Sequence, residues 1–146
     1  MAILAFPGLI SCSAPRSFLE VRHYHLRSLE MLRGLDAPRA EQLHRFHGAV
    51  TARERRNRLG HYYTVEWHGP EGQEEKPVRL VFRYRQVGTG SEIRSLVVPA
   101  SSGSTGKAEL RVAGPAYQEG GRVTSWHLGY YRGDQLIETR QSYLWE

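Results

Sequence analysis

The sequence predicts a mainly β protein, an antiparallel β-sandwich preceded by a short helical N-terminal segment. Three observations predict it. Over 78–85, Val78, Leu80, Phe82 and Tyr84 alternate with Arg79, Val81, Arg83 and Arg85, the period of a half-buried strand. From residue 61 onward similar runs recur at roughly 10–15-residue intervals, broken by turn residues and with no helical stretch between them. Before residue 60 the spacing is helical, and its starts and stops carry capping signals.

The elements follow in order. Ser17-Phe18-Leu19-Glu20 has the form of a capping box and opens a predicted helix to Arg33, stopped by Gly34. Phe18, Val21, His25, Leu29 and Leu32 would share one face of it. Asp36 caps a second helix over Ala37 to His47, with Pro38 in its first turn and Leu43, Phe46 and His47 to one side. Thr51-Ala52-Arg53-Glu54 is another capping box, ended by Gly60.

At His61 the period changes to two. Tyr63, Val65 and Trp67 alternate with Tyr62, Thr64 and Glu66, and the turn-rich HGPEGQEEKP precedes the 78–85 strand. A third strand spans Ile93 to Val98 and is closed by Pro99; after the loop ASSGSTGK, Ala108, Leu110 and Val112 alternate with Lys107, Glu109 and Arg111. Gly114-Pro115 and Gly120-Gly121 mark a connection. Arg122 to Tyr131 and Gln135 to Trp145 make the last strand pair. Arg132-Gly133-Asp134 between them has the form of an adhesion tripeptide but suits a hairpin turn, where Gly and Asp tolerate positive φ. Leu80, Phe82, Leu110, Val112 and Trp126 are the predicted core. In size and strand spacing residues 61–146 resemble an immunoglobulin-like or fibronectin-like sandwich, without the Cys pair of antibody domains.

A chain of 146 residues with 40% apolar and 24% charged side chains and a mean hydropathy of −0.53 has the composition of a globular domain. No run of 18 apolar residues occurs, so no transmembrane helix is expected. One Cys excludes an internal disulfide and a multi-Cys zinc site. The net charge of +5 is lopsided: residues 1–60 hold ten Arg against five acids, whereas 61–146 hold eight Arg and two Lys against ten acids. Charge and periodicity together divide the chain into 1–12, a helical segment 13–60 and a β-sandwich 61–146.

The apolar opening MAILAFPGLISC ends in Leu9-Ile10-Ser11-Cys12. This resembles the lipobox of bacterial lipoproteins: Leu, an aliphatic residue and a small residue before the lipidated Cys. The resemblance implies lipidation at Cys12, removal of 1–11 and anchorage in the cell envelope. Ser13 stands where Asp would favour the inner membrane, which points to the outer membrane facing the periplasm. The alternative is an apolar arm packed on the fold.

Chemistry-bearing patterns are few. His23-Tyr24-His25 and His44-Arg45-Phe46-His47 could pair imidazoles on a metal, but no third ligand is patterned with them and HExxH is absent. No nucleophile elbow, phosphate-binding glycine loop or carboxylate pair stands out. Arg53, Arg55, Arg56 and Arg58, followed by His61, Tyr62 and Tyr63, form a candidate anion contact for nucleic acid; a solvated helix face explains them as well. Trp126, Tyr130, Tyr131, Tyr143 and Trp145 are candidate contacts, since Tyr and Trp dominate interface energetics. The expectation is a non-catalytic envelope lipoprotein, without cofactor, that binds another envelope protein through its sandwich. A nucleic-acid-binding protein and a carbohydrate-binding accessory domain are the alternatives.

Overall fold

The computed structural model describes residues 17–28, 36–100 and 102–146. Its elements are β1 (Leu19–Leu26), α1 (Asp36–Phe46), α2 (Ala52–Arg58), β2 (Gly60–His68), β3 (Val78–Gln86), β4 (Arg94–Ala100), β5 (Thr105–Ala113), α3 (Pro115–Gly120), β6 (Val123–Arg132) and β7 (Gln135–Gln141). They form a three-stranded sheet, β1-β2-β5, and a four-stranded sheet, β4-β3-β6-β7. All pairings are antiparallel.

The two sheets close on one apolar core. Leu19, Tyr63, Val65, Trp67, Leu110 and Val112 meet Val78, Leu80, Phe82, Tyr84, Leu128 and Tyr130 there. The alternation in 78–85 predicts this face correctly because one side of β3 is buried against the other sheet. Trp126 is a correction. It is only half-buried and packs at the margin of the core, while Trp67 is the tryptophan inside. Trp67 lies flat across β5 because Gly106 has no side chain: a Cβ there would stand 2.1 Å from Trp67 Cζ2.

The helix expected over 17–33 is also corrected, since Leu19–Leu26 is a strand. The leucine and valine spacing there fits either period, and pairing decides between them. β1 pairs with β2 along its whole length, from Leu19 opposite Trp67 to Leu26 opposite Gly60, and buries both leucines. Ser17 caps no helix; its hydroxyl contacts Glu138, whose carboxylate accepts the Phe18 N–H at 2.6 Å. Leu29, Leu32 and Gly34 lie outside the described residues, as do Cys12 and the whole lipobox.

The next two helices stand where expected. The Thr51 box is complete: Thr51 Oγ1 accepts from Glu54 N at 3.1 Å, and the Glu54 carboxylate accepts from Thr51 N at 2.8 Å. Of the face expected on α1, Phe46 is buried with Leu26 and Tyr62, whereas Leu43 and His47 are exposed. Gln42 takes the buried place instead, donating to the Arg27 carbonyl at 2.8 Å. Pro99 lies within β4 rather than after it, which an edge strand tolerates. The connection marked by Gly114-Pro115 folds as the short α3.

Gly133 turns the last hairpin with φ 55°. Its neighbour Arg132 is fully buried. Its guanidinium donates to Tyr130 Oη at 2.7 Å and to the carbonyls of Gly103, Gln73 and Lys76. The tripeptide's arginine thus ties two loops to the core, and adhesion through it is closed off.

Candidate functional site

β-strand geometry gives each sheet one face toward the core and one away from it. The outward faces differ. On the three-stranded sheet, Glu20 and Arg22 of β1, Glu66 of β2 and Lys107, Glu109 and Arg111 of β5 point outward and pair. Arg22 contacts Glu20 at 2.9 Å and Glu66 at 3.3 Å, Lys107 meets Glu66 at 3.1 Å, and Arg111 meets Glu109 at 2.7 Å. α1 and α2 cover the end of this face. From α1, Arg45 reaches Glu41 at 2.7 Å and Glu109 at 3.0 Å, with its guanidinium 4.2 Å from the Tyr62 ring centre.

On the four-stranded sheet, β3 turns Arg79, Val81, Arg83 and Arg85 outward. Their ladder neighbours are Pro99 and Tyr131 for Arg79, Ser95 and His127 for Arg83, and Ser125 for Arg85. No carboxylate stands opposite any of them, and none is in an ion pair among the described residues. Two arginines lie on rings: Arg79 is 4.7 Å from the Tyr131 centroid and Arg85 is 4.6 Å from that of Trp145. Trp145 also stacks on His127 at 5.7 Å, and Arg85 donates to the Glu146 carbonyl at 3.5 Å. Val97 of β4 completes the face at 57% exposure. Cation–π stacking fixes guanidinium orientation and leaves the N–H fork for a bidentate anion.

A third feature lies at one end of the core. His23 and His25 from β1 and His61 from β2 form a ladder, His61 lying 4.9 Å from His23 and 3.9 Å from His25. The Val123 N–H donates to His61 Nε2 at 3.1 Å, so His61 carries its proton on Nδ1 and donates to His23 Nε2 at 2.7 Å. Arg27 Nε donates to His25 Nδ1 at 3.2 Å, which leaves His25 Nε2 to donate to Tyr117 Oη at 2.8 Å. Both nitrogens of His25 and His61 are thereby engaged, and both rings are neutral. Burial first, then the Arg27 and Arg122 cations and the neighbouring His23, lowers His61 to about 3 and His25 to about 4, with His25 adding to the shift of His61. Burial lowers His23 as well. Among the described residues no three His, Cys, Asp or Glu side chains are arranged to hold a metal ion. These rings stack and hydrogen-bond to one another instead of converging.

The candidate contacts separate accordingly. Tyr130 is fully buried and Trp126 faces the core margin, so neither lies on an outer surface. Tyr131 and Trp145 lie on the arginine face, and Tyr143 is wholly exposed. The Arg-rich helix is partly committed to structure. Arg58 donates to the carbonyls ending α1, at Arg45 and His47, and Arg55 to Val50, while Arg53 and Arg56 are exposed. Arg79, Arg83 and Arg85 are not among the contacts expected from the sequence. The signal was present, because the alternation that defines β3 puts three arginines and no acid on its outward side.

No protein-family model matches the chain, and neither a curated protein nor a solved structure matches it significantly.

Proposed function

We propose that this protein is a non-catalytic binding module of the bacterial cell envelope, lipidated at Cys12, whose working surface is the outer face of the four-stranded sheet. The observation that carries the reading is the contrast in charge pairing. Every outward cation of β1 and β5 named above has a carboxylate within 3.3 Å, whereas Arg79, Arg83 and Arg85 have none. Guanidiniums without a carboxylate, two of them held on rings, favour an external anionic or polar partner. A binder rather than a catalyst is favoured because the clustered imidazoles of His25 and His61 have both nitrogens taken up by hydrogen bonds within the fold. We further read the fold as an immunoglobulin-like Greek key. The strand order is that of the constant-type domain, with the fourth strand paired to the third instead of the fifth.

The test has two arms. The native precursor and its Cys12→Ser variant are compared by membrane fractionation and intact mass, and acylation with membrane location is expected only for the first. In isolated envelopes, a thiol placed by Val97→Cys should label more slowly than one placed by Lys107→Cys on the opposite outer face. An unmodified native chain overturns the anchor, and equal labelling overturns the surface.

A further inference from the structure

We propose that the partner of the arginine face is an anionic lipid surface, so that the four-stranded sheet lies against the membrane with residues 142–145 as its apolar edge. The inference rests on the reading of that face as the working surface. Three observations favour lipid over other anions. The Tyr131 and Trp145 rings are already occupied by guanidiniums, and a base or sugar ring would need those π-faces free. Contact is thus made through N–H forks aimed at anionic oxygens.

The second observation is the turn beside them. Trp145 N donates to the Ser142 carbonyl at 3.1 Å, which puts Tyr143 and Leu144 at a tip, 100% and 66% exposed. A Tyr, a Leu and a Trp flanked by Arg85 suit the headgroup zone, where amphipathic rings and arginines settle together.

The third is where the chain enters the fold. Ser17 and Phe18 are held by Glu138 and Arg140 of β7, the edge strand of the same sheet. Four residues lie between Cys12 and Ser17, so the two are five steps of the chain apart, a reach of at most about 18 Å. An acyl chain on Cys12 would therefore bring the bilayer beside this sheet. A basic patch acting with a lipid anchor is the second signal that stable attachment requires.

The experiment uses the full chain with Cys12→Ser, so that no acyl group contributes, and sediments it with phosphatidylcholine vesicles with and without phosphatidylglycerol at about 0.15 M salt. Binding is expected only to the phosphatidylglycerol vesicles. R79Q/R83Q/R85Q should lower the partition coefficient about 100-fold, while R53Q/R55Q/R56Q, with the same change in net charge, leaves it essentially unchanged. Tyr143→Ala with Leu144→Ala touches only exposed side chains, cannot unfold the sandwich and should lower binding about tenfold. Absence of binding, equal loss with both arginine triples, or preference for an oligonucleotide or acidic peptide over the vesicles would overturn the lipid assignment. If vesicles are not bound but the Val97→Cys thiol stays shielded in envelopes, the lipid assignment falls and the surface reading stands. If that thiol labels freely, both fall.

Discussion

The outer faces of the two sheets are both rich in basic side chains, yet they present different surfaces to solvent. On the three-stranded sheet acids and bases alternate across neighbouring strands, and Arg45 from α1 completes the network over Tyr62. Leu26, Phe46 and Tyr62 form a second small core beneath the helices. On the four-stranded sheet no helix among the described residues covers the outer face, the arginines of β3 face Pro, Ser, Tyr and His, and Val97 is exposed. The difference teaches that a count of basic residues says little about partners. A cation already paired within the chain has little left to offer, and one paired only with a ring retains its charge.

Four measurements would break or sharpen this contrast, beginning with the largest. Leu26→Ala, beneath the helices, should cost about 3 kcal/mol in urea unfolding, whereas Val97→Ala on the open face should cost less than about 0.5 kcal/mol. Similar costs for the two would mean that the open face is packed after all.

The second concerns acid. His61 has a folded value near 3 against an ordinary 6.5, so the unfolded chain binds more protons between these limits. Its stabilising contribution is complete above about pH 6.5 and is lost as pH falls toward 3. Going from pH 7 to 4.5 should cost about 2–3 kcal/mol from this group alone. His61→Gln should flatten that part of the pH profile, separating it from carboxylate titration; an unchanged slope would refute the neutral, buried state of His61.

Third, Arg45→Met should destabilise by about 1–2 kcal/mol, because it removes a largely covered cation from two carboxylates and a ring. Equal stability would mean that the paired face gains nothing from its network. Smallest of all, Arg83→Met should move the midpoint by less than about 0.5 kcal/mol. A larger loss would show that the arginine file serves the fold rather than a partner.

Much of the β architecture was legible in the residues. β3 and β5 each bury one side and leave the other open, so their period-2 pattern was written directly in the sequence; β2 alternates in the same way toward the main core, but Tyr62 on its other side is buried with Leu26 and Phe46. The capping box at Thr51 and the hairpin at Gly133 were equally local, since a side chain within three residues or a φ requirement decides them. β1 was not legible: its apolar spacing satisfies a helix or a strand, and only the eight-residue pairing with β2 selects between them. Trp126 suits both the core and a surface contact in the sequence, and Tyr130 only a contact, because alternation within one strand does not say which side the other sheet covers.

The sequence by itself determined which segments alternate, where the chain turns, and that its positive charge is uneven, because these depend on neighbours in the chain. Tertiary structure alone decided which charges are spent. Arg22, Arg45 and Lys107 find carboxylates on other strands, Arg111 finds one two residues back on its own strand, and Arg132 finds carbonyls from two loops. Arg79 finds a ring across the sheet, and Arg85 finds a ring sixty residues along the chain together with the Glu146 main-chain oxygen. Coulomb interactions act over a few ångströms of space regardless of sequence separation, so the pairing of charges, and with it the surface left for a partner, exists only once the sheets have formed.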